Sequence, residues 1–370
     1  MINFSIRFAL VMLAACLSIL GCDRGVRMHS AESYPERLSE WGLFVAESKL
    51  LTVTDEAFVY DLNSALFSDH ALKLRTVYLP DGSAARYDPD APFALPVGSI
   101  ISKTFYYQKA DDDQLILAGT ISNDLPQDLG SIDTQRYRLM ETRLLVKQTN
   151  GWDALPYIWD GDDAYLAVTG KIERLVFTDG TNLPYLVPSK NQCAACHATN
   201  HTTGAIQPIG IKARHLNKTH PAIAANQLEV WHREKRLTNW PGIASKEPAN
   251  ADWTDTSASL DDRARSYLDI NCGHCHNAQG PADTSGLLLD YKTHTPQAIG
   301  VCKPPIAAGR GSGGRLYSIV PGEPDASILS FRMHSTDPAA LMPELGRALV
   351  HTKAVALIDA WIEAMQGECI

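Results

Sequence analysis

CAACH at Cys193–His197 and CGHCH at Cys272–His276 are the two segments that predict most of this protein's structure and chemistry. In each segment, two thiols separated by two residues can add to the vinyl groups of one haem, and the next residue supplies an imidazole for the iron. The repeated pattern therefore predicts two covalently bound haem c groups. The predicted attachment residues are Cys193, Cys196, Cys272 and Cys275, and the predicted iron ligands are His197 and His276.

A redox dithiol or a four-thiolate zinc site is the alternative interpretation of the two Cys pairs. Neither alternative requires a His directly after the second Cys in both copies. Neither explains the Met342-Pro343 dipeptide further along the chain. The pattern therefore favours haem.

The N-terminal residues are typical of an export signal. Arg7 is the only charged residue before a run from Phe8 to Leu20 that is apolar apart from Ser18. The run is shorter than the about 20 residues that a membrane span needs, but it has the size of a signal-peptide core. We predict a lipoprotein signal over residues 1–22 with Cys22 lipidated. Cys16 is a competing site, and simple cleavage is the alternative.

Two of the eight cysteines remain after the signal region and the haem motifs are assigned, namely Cys302 and Cys369. In an oxidising compartment, two remaining thiols usually pair. We therefore predict a Cys302–Cys369 disulfide, with two buried free thiols as the alternative.

Composition limits the classes of function. The formal charge of −9 argues against a nucleic-acid-binding protein, which would present a basic face. An acidic surface can attract a basic redox partner, and it also favours solubility. An apolar fraction of 45% is ordinary for a folded domain.

Three regions follow the signal. Residues 33–188 contain short runs rich in β-branched and aromatic residues, separated by turn sequences. Residues 189–250 hold the first motif, and residues 258–370 resemble a small cytochrome c domain between two amphipathic helices. The pattern predicts an α+β multidomain protein, with an antiparallel β-sandwich or barrel-like domain followed by mostly α cytochrome c-type haem regions.

The axial ligands follow from the positions of Met and His. Met342 precedes Pro343 in a predicted loop and is the expected sixth ligand of the second haem, with Met333 as the alternative. The first haem has no Met nearby, and His215 is the expected ligand. The alternatives are His201, His220, His232, His70, Met140 and an open iron.

The chain also resembles a bacterial family of diheme c-type cytochromes that has no assigned reaction. The resemblance rests on both haem motifs and on these stretches: Leu66-Phe67-Ser68-Asp69, Glu141-Thr142-Arg143-Leu144-Leu145, Pro321-Gly322-Glu323-Pro324 and Met342-Pro343. The C-terminal part is similar to cytochrome domains that accompany quinoprotein dehydrogenases. The resemblance implies Met342 as a ligand, and a redox partner of that class.

The predicted function is single-electron transfer between a periplasmic dehydrogenase and the respiratory chain, by a protein held at the membrane through a lipid anchor. A diheme peroxidase-type enzyme with an open first haem is the alternative. The β-rich region shows no catalytic pattern of its own.

Overall fold

The computed structural model describes residues 25–110, 114–117, 130–220, 223–306 and 308–370. Cys16 and Cys22 lie outside these ranges, so export and lipidation stay predictions. No helix in the described ranges is both long and apolar enough to cross a lipid bilayer.

Strands dominate the first half of the chain. They are β1 (Phe44–Glu47), β2 (Leu50–Val53), β3 (Ala57–Val59), β4 (Leu72–Tyr78), β5 (Ala85–Arg86), β6 (Ile100–Lys109), β7 (Leu115–Ile116), β8 (Ser131–Asp133), β9 (Tyr137–Gln148), β10 (Gly151–Asp160), β11 (Asp163–Leu166), β12 (Lys171–Val176), β13 (Asn182–Val187), β14 (Thr219–His220), β15 (Ala225–Asn226) and β16 (Leu237–Thr238).

Seven of these strands form one large antiparallel sheet in the order β11-β10-β9-β6-β4-β3, with β7 added beside β6. The long strands β6 and β9 are rich in β-branched and aromatic residues, which favour a pleated, half-buried surface. The hairpin between β9 and β10 closes with Gln148 opposite Gly151, so its two-residue turn is Thr149-Asn150.

The sheet is covered on both faces. All seven residues of β4 are buried, as expected for a central strand with packing on either side. One core cluster joins Val77 and Ile101 of the sheet to Ile211, Leu216 and Trp231 from the region of the first motif. That region therefore packs directly on the sheet.

Smaller sheets complete the strand pattern. They are β1-β2-β8, β12-β13, β14-β15 and β16-β5. In the last of these, β16 runs parallel to β5 and links the region after the first motif to the strand-rich half of the chain.

The α-helices are short. They are α1 (Lys190–His197), α2 (Ala213–Leu216), α3 (Gln227–Arg233), α4 (Leu260–Asn271), α5 (Pro296–Ile299), α6 (Ile328–His334) and α7 (Thr352–Glu363). Single 3-10 turns occupy Leu38–Trp41, Ala244–Lys246, Asp283–Ser285, Gly309–Ser312 and Pro324–Ala326.

The predicted fold class is wrong in its second half. The expected mostly α haem regions are not formed: the helices of residues 189–250 have 8, 4 and 7 residues. Beyond α4, turns and 3-10 segments occupy most of the chain up to α6. The sequence there is interrupted by Gly and Pro, which break helices, and the structure is a β-rich protein built on one large antiparallel sheet.

Two helices near the C-terminus do match the sequence pattern. The Ser259 hydroxyl accepts a hydrogen bond from the backbone N–H of Asp262 and caps α4. The apolar faces of α4 and α7 share one core cluster through Leu268 and Ile358. The indole N–H of Trp361 donates to Asp261 over 2.7 Å and fixes how α7 lies on α4.

Cys302 and Cys369 form a disulfide. This is the pairing expected from the two remaining cysteines. It connects the C-terminus to the loop before Ile319, a separation of 67 residues along the sequence.

Asp69 ties the sheet to the segment that enters α7. Its buried carboxylate accepts hydrogen bonds from the backbone N–H groups of Ala348, at 2.8 and 3.0 Å, and Leu349, at 2.8 Å. Beside it, the rings of Phe67 and His351 stack with their centroids 4.1 Å apart. A single short segment of the sheet region therefore holds the chain that follows Met342.

Replacing Asp69 with Ala should lower the free energy of unfolding by about 2–4 kcal/mol, because two backbone donors in a partly buried site lose their acceptor. Urea unfolding monitored by circular dichroism measures this. Asp81→Ala, at an exposed position, is the control and should change stability by less than about 0.5 kcal/mol. Equal stability of the two variants would show that the tie contributes nothing.

Candidate functional site

The second motif begins where α4 ends. Cys272 is the C-cap of that helix, and the backbone N–H groups of Cys275 and His276 both donate to its carbonyl, so the motif forms one tight turn. Gly273 is required inside the turn because a Cβ there would lie 2.7 Å from the backbone oxygen of Asp269 and 2.9 Å from the Cα of Asp290. Neither thiol of the motif forms a disulfide.

The imidazole of His276 is held by a backbone carbonyl. Its Nδ1 lies 3.1 Å from the oxygen of Leu287, which fixes Nδ1–H as the donor and leaves Nε2 as the free ligand atom. Burial lowers the pKa of His276, partly offset by this hydrogen bond. The ring is therefore neutral and oriented, as metal ligation requires.

A cavity of about 520 Å³ lies against the second motif. Its size falls within the range of about 300–1,000 Å³ that is usual for cofactor sites. Its wall includes the sulfur and imidazole side chains of Cys196, Cys272, Cys275, His274, His276, His351, Met333 and Met342. Two thiols, one imidazole and a thioether fit a haem in both size and ligand chemistry.

Arg347 fixes the loop that carries Met342. Its Nε donates to the backbone oxygen of Met342 over 2.9 Å, and its Nη2 donates to carbonyls at the end of α6. The backbone N–H of Met342 donates to Arg332 over 3.0 Å. Met333 instead belongs to α6 and is buried in the core of the C-terminal region. Met342 is therefore the better positioned of the two thioethers, since it lies on a loop at the wall.

The first motif lies entirely within α1. Ser189 caps the helix through a reciprocal pair of hydrogen bonds with Gln192. Cys193 and Cys196 are one turn apart on this helix, and neither is in a disulfide. α1 follows directly on β13, so a strand and not a helix precedes the first motif.

His197 is oriented in the same way as His276. Its Nδ1 lies 2.8 Å from the carbonyl oxygen of Gln207, the residue directly before Pro208. Burial lowers the pKa of His197 to about 3, so the ring is neutral at physiological pH. Both motif histidines thus present Nε2 as the free nitrogen.

The cavity beside Cys193 and His197 is smaller, about 70 Å³. Its far wall is the face of the large sheet, and four long cationic side chains line it: Lys73, Arg75, Lys103 and Arg143. The lining supplies one thiol and one imidazole, but a cavity of about 70 Å³ does not have the volume of a haem macrocycle. Sequence reasoning missed this wall, although the alternation of Lys73 and Arg75 on a strand was a visible signal of a shared face.

The structure does not bring His215 to this cavity. His215 is buried, with its Nε2 3.5 Å from Asp269 and its Nδ1 3.4 Å from the amide nitrogen of Asn250. Burial lowers its pKa to about 4, although Asp269 opposes the shift. Among the described residues that line the first cavity, His197 is the only His and there is no Met.

The other ligand alternatives lie elsewhere. His201 contacts the backbone of Gln279, and His232 contacts the carbonyl of Leu237. His70 packs edge-on against Phe67, and Met140 belongs to a separate core cluster. Neither these four residues nor the remaining alternative, His220, lines the cavity beside His197.

The two motifs touch each other. The thiol of Cys275 lies 3.7 Å from the carbonyl oxygen of Ala195, which stands between the two cysteines of the first motif. Ala195 and Cys196 also line the large cavity of the second motif. Gln279 strengthens the contact by accepting hydrogen bonds from the backbone of His201 and the side chain of Asn200. The two predicted attachment sites are therefore neighbours.

In the part of the chain that the structure describes, no three His, Cys, Asp or Glu side chains are grouped in a way that could hold a metal ion. The four motif cysteines are thus not arranged as the tetrahedral four-thiolate site of a structural zinc.

Comparison with protein-family models, curated proteins and solved structures finds no match to this chain. The resemblance to a family of diheme c-type cytochromes is accordingly wrong as a classification. That family implies mostly helical haem domains, whereas this chain is mostly sheet with short helices, and no family model covers it. The group that the two motifs bind is decided by the chemistry of their thiols and imidazoles, and not by a family assignment.

Proposed function

We propose that this protein carries two covalent haem c groups and transfers single electrons between a periplasmic dehydrogenase and the respiratory chain. The observation that supports this most strongly is the contact between the two motifs, with Cys275 3.7 Å from Ala195. A haem supplies a one-electron couple whose potential depends on its axial ligands and surroundings. Neighbouring attachment sites serve electron transfer within one chain.

The residues of each motif have distinct roles in this proposal. Cys193 and Cys196, and likewise Cys272 and Cys275, hold the group covalently. Gln207 and Leu287 fix the tautomer and the orientation of the two imidazoles. This is the usual task of a carbonyl behind a metal-binding His.

Location and partners are part of the same proposal. Covalent haem attachment to thiols takes place after export, which agrees with the signal-like residues 1–22 and with Cys22 as a lipid anchor. The acidic balance of −9 suits a basic redox partner, such as a quinoprotein dehydrogenase.

A diheme peroxidase-type enzyme is the second candidate. It is favoured by one observation: the described lining of the first cavity offers no second His or Met that could close the sixth position. An iron ligated only by His197 could bind a small oxidant, with Lys103 and Arg143 as the nearby polar groups.

Absorption and paramagnetic-resonance spectra of the purified holo-protein, with and without carbon monoxide, separate the two candidates. For an electron carrier we expect two low-spin haems whose reduced spectra do not respond to carbon monoxide. One high-spin haem that binds carbon monoxide would contradict the carrier and support the enzyme, and peroxide reduction would then be assayed.

A further inference from the structure

His276 is oriented by a short turn that follows the second motif. The carbonyl oxygen of Leu287 lies 3.1 Å from its Nδ1, and the Ser285 hydroxyl lies 3.4 Å from the same nitrogen. Ser285 also accepts a hydrogen bond from the backbone N–H of Leu287 over 3.2 Å. We call residues 285–287 the imidazole turn, because the direction of the His276 ring depends on how firmly this turn is held.

Lys303 binds the imidazole turn from outside. Its ammonium donates a hydrogen bond to the carbonyl oxygen of Gly286, the residue directly before Leu287. A hydrogen bond with a charged donor is about twice as strong as one between neutral groups. Because this carbonyl belongs to the peptide group that leads into Leu287, fixing it restricts where the Leu287 carbonyl can point.

Gly286 leaves the space that the ammonium occupies. Its φ is +62°, a left-handed backbone conformation that favours glycine. A Cβ at this position would lie 2.6 Å from the Nζ of Lys303 and 3.1 Å from its Cε. Any larger residue here would therefore push the end of the Lys303 side chain away from the turn.

The backbone of Lys303 is itself fixed. Its N–H donates to the carbonyl of Gly300 over 3.2 Å, and its own carbonyl accepts from the N–H of Ser318 over 2.8 Å. The preceding residue, Cys302, is held by its disulfide and by a 2.9 Å hydrogen bond to the carbonyl of Ile319. The ammonium therefore reaches the imidazole turn from a well-defined position.

We propose that Lys303 is a positioning residue for His276 and acts through the backbone of Gly286 and Leu287. This inference rests on the proposed function and extends it by naming the side chain that keeps the second haem's imidazole in one plane. Groups behind a metal-binding His orient its ring, and their loss typically weakens metal binding or activity by about 10–100-fold. Lys303 is not among the described residues that line the large cavity, so its effect passes through the turn.

Lys303→Met in the holo-protein is the test, measured by paramagnetic resonance of the ferric protein. Met keeps an unbranched side chain and removes the ammonium. The g values of a low-spin ferric haem depend on the directions of its axial ligand planes, so a less restrained imidazole should shift and broaden one of the two signals. The Cys193→Ala/Cys196→Ala protein, which keeps the second haem alone, identifies the signal that should change.

Matched variants separate this role from a general effect on folding. Gly286→Ala displaces the ammonium while Lys303 is still present, and it should shift the same signal. Lys303→Arg keeps a cationic donor and should keep the wild-type signal. Lys171→Met removes a charge from a side chain that is 53% exposed on β12, and it should leave both signals as they are.

Four results would overturn the inference. Unchanged g values in both Lys303→Met and Gly286→Ala, with two haems still attached, would refute the positioning role while leaving the proposed function intact. A changed reduction potential with unchanged g values would mean that the charge of Lys303 acts through space instead. A shift in Lys303→Arg as large as in Lys303→Met would show that a cationic donor is not what holds the turn. A wild-type protein without covalent haem would refute both proposals together, and the haem count reveals this before any variant is made.

Discussion

Replacing both Cys272 and Cys275 with Ala is expected to remove one of two covalent haems and to leave the other in place. Each cysteine pair supplies both thioether bonds of one haem. The first pair lies on α1, whereas the second pair lies in the turn that follows α4. Haem per chain, measured by the pyridine haemochrome absorbance against protein mass, should fall to half. The Cys193→Ala/Cys196→Ala variant should lose the other half.

The disulfide provides the control for this experiment. Cys302→Ala/Cys369→Ala also removes two sulfurs, but these form a cross-link and line neither cavity. This variant should keep both haems. Its free energy of unfolding should fall by about 4 kcal/mol, as the chain-entropy model gives for a loop of this length. Full haem content in the Cys272→Ala/Cys275→Ala variant would contradict the assignment of the second motif.

Replacing Met342 with Leu should change the spin state and the reduction potential of the second haem. Loss of the thioether removes the proposed sixth ligand, so the second haem should become high-spin, bind carbon monoxide and titrate at a lower potential. Leu has nearly the same volume as Met, so the packing of the loop held by Arg347 should change little.

Met333→Leu is the matched control for this prediction. Met333 lines the same cavity, but it lies on α6 with its side chain in the core. The variant should keep the low-spin spectrum and the potential. If Met333→Leu, and not Met342→Leu, produces the high-spin haem, the ligand assignment is reversed.

Sequence patterns predicted much of the local structure of this protein. The strand-like runs within residues 33–188 and the two amphipathic helices of residues 258–370 each follow from interactions within a few residues of one another, and the structure has them, for example as β6, α4 and α7. The Cys302–Cys369 pairing followed from counting which cysteines remained.

The fold class could not be obtained in the same way. A Cys-x-x-Cys-His motif is five residues long and says which group it can bind, but nothing about the scaffold that carries it. The motifs predict helical haem domains around them, and this class is wrong. In the described residues between α4 and α6, turns and short helical segments predominate. The cations that line the first cavity likewise depend on strand register, which places Lys103 opposite Arg75 and Arg143 only after the sheet has formed.

The sixth ligand of the first haem shows the same limit. The sequence predicts His215 as this ligand. In the structure, His215 contacts Asn250 and Asp269 and does not line the cavity of His197. A ligand for that position is decided by how the sheet and α1 pack, which involves residues far apart in sequence.

The most direct measurement is the intact mass of the wild-type protein under denaturing conditions, after expression in a bacterial host that attaches haem to exported proteins. The proposed function predicts the mass of the chain plus two haem groups, with Cys193, Cys196, Cys272 and Cys275 all protected from alkylation. A mass without haem, with these four thiols free to react, would contradict it.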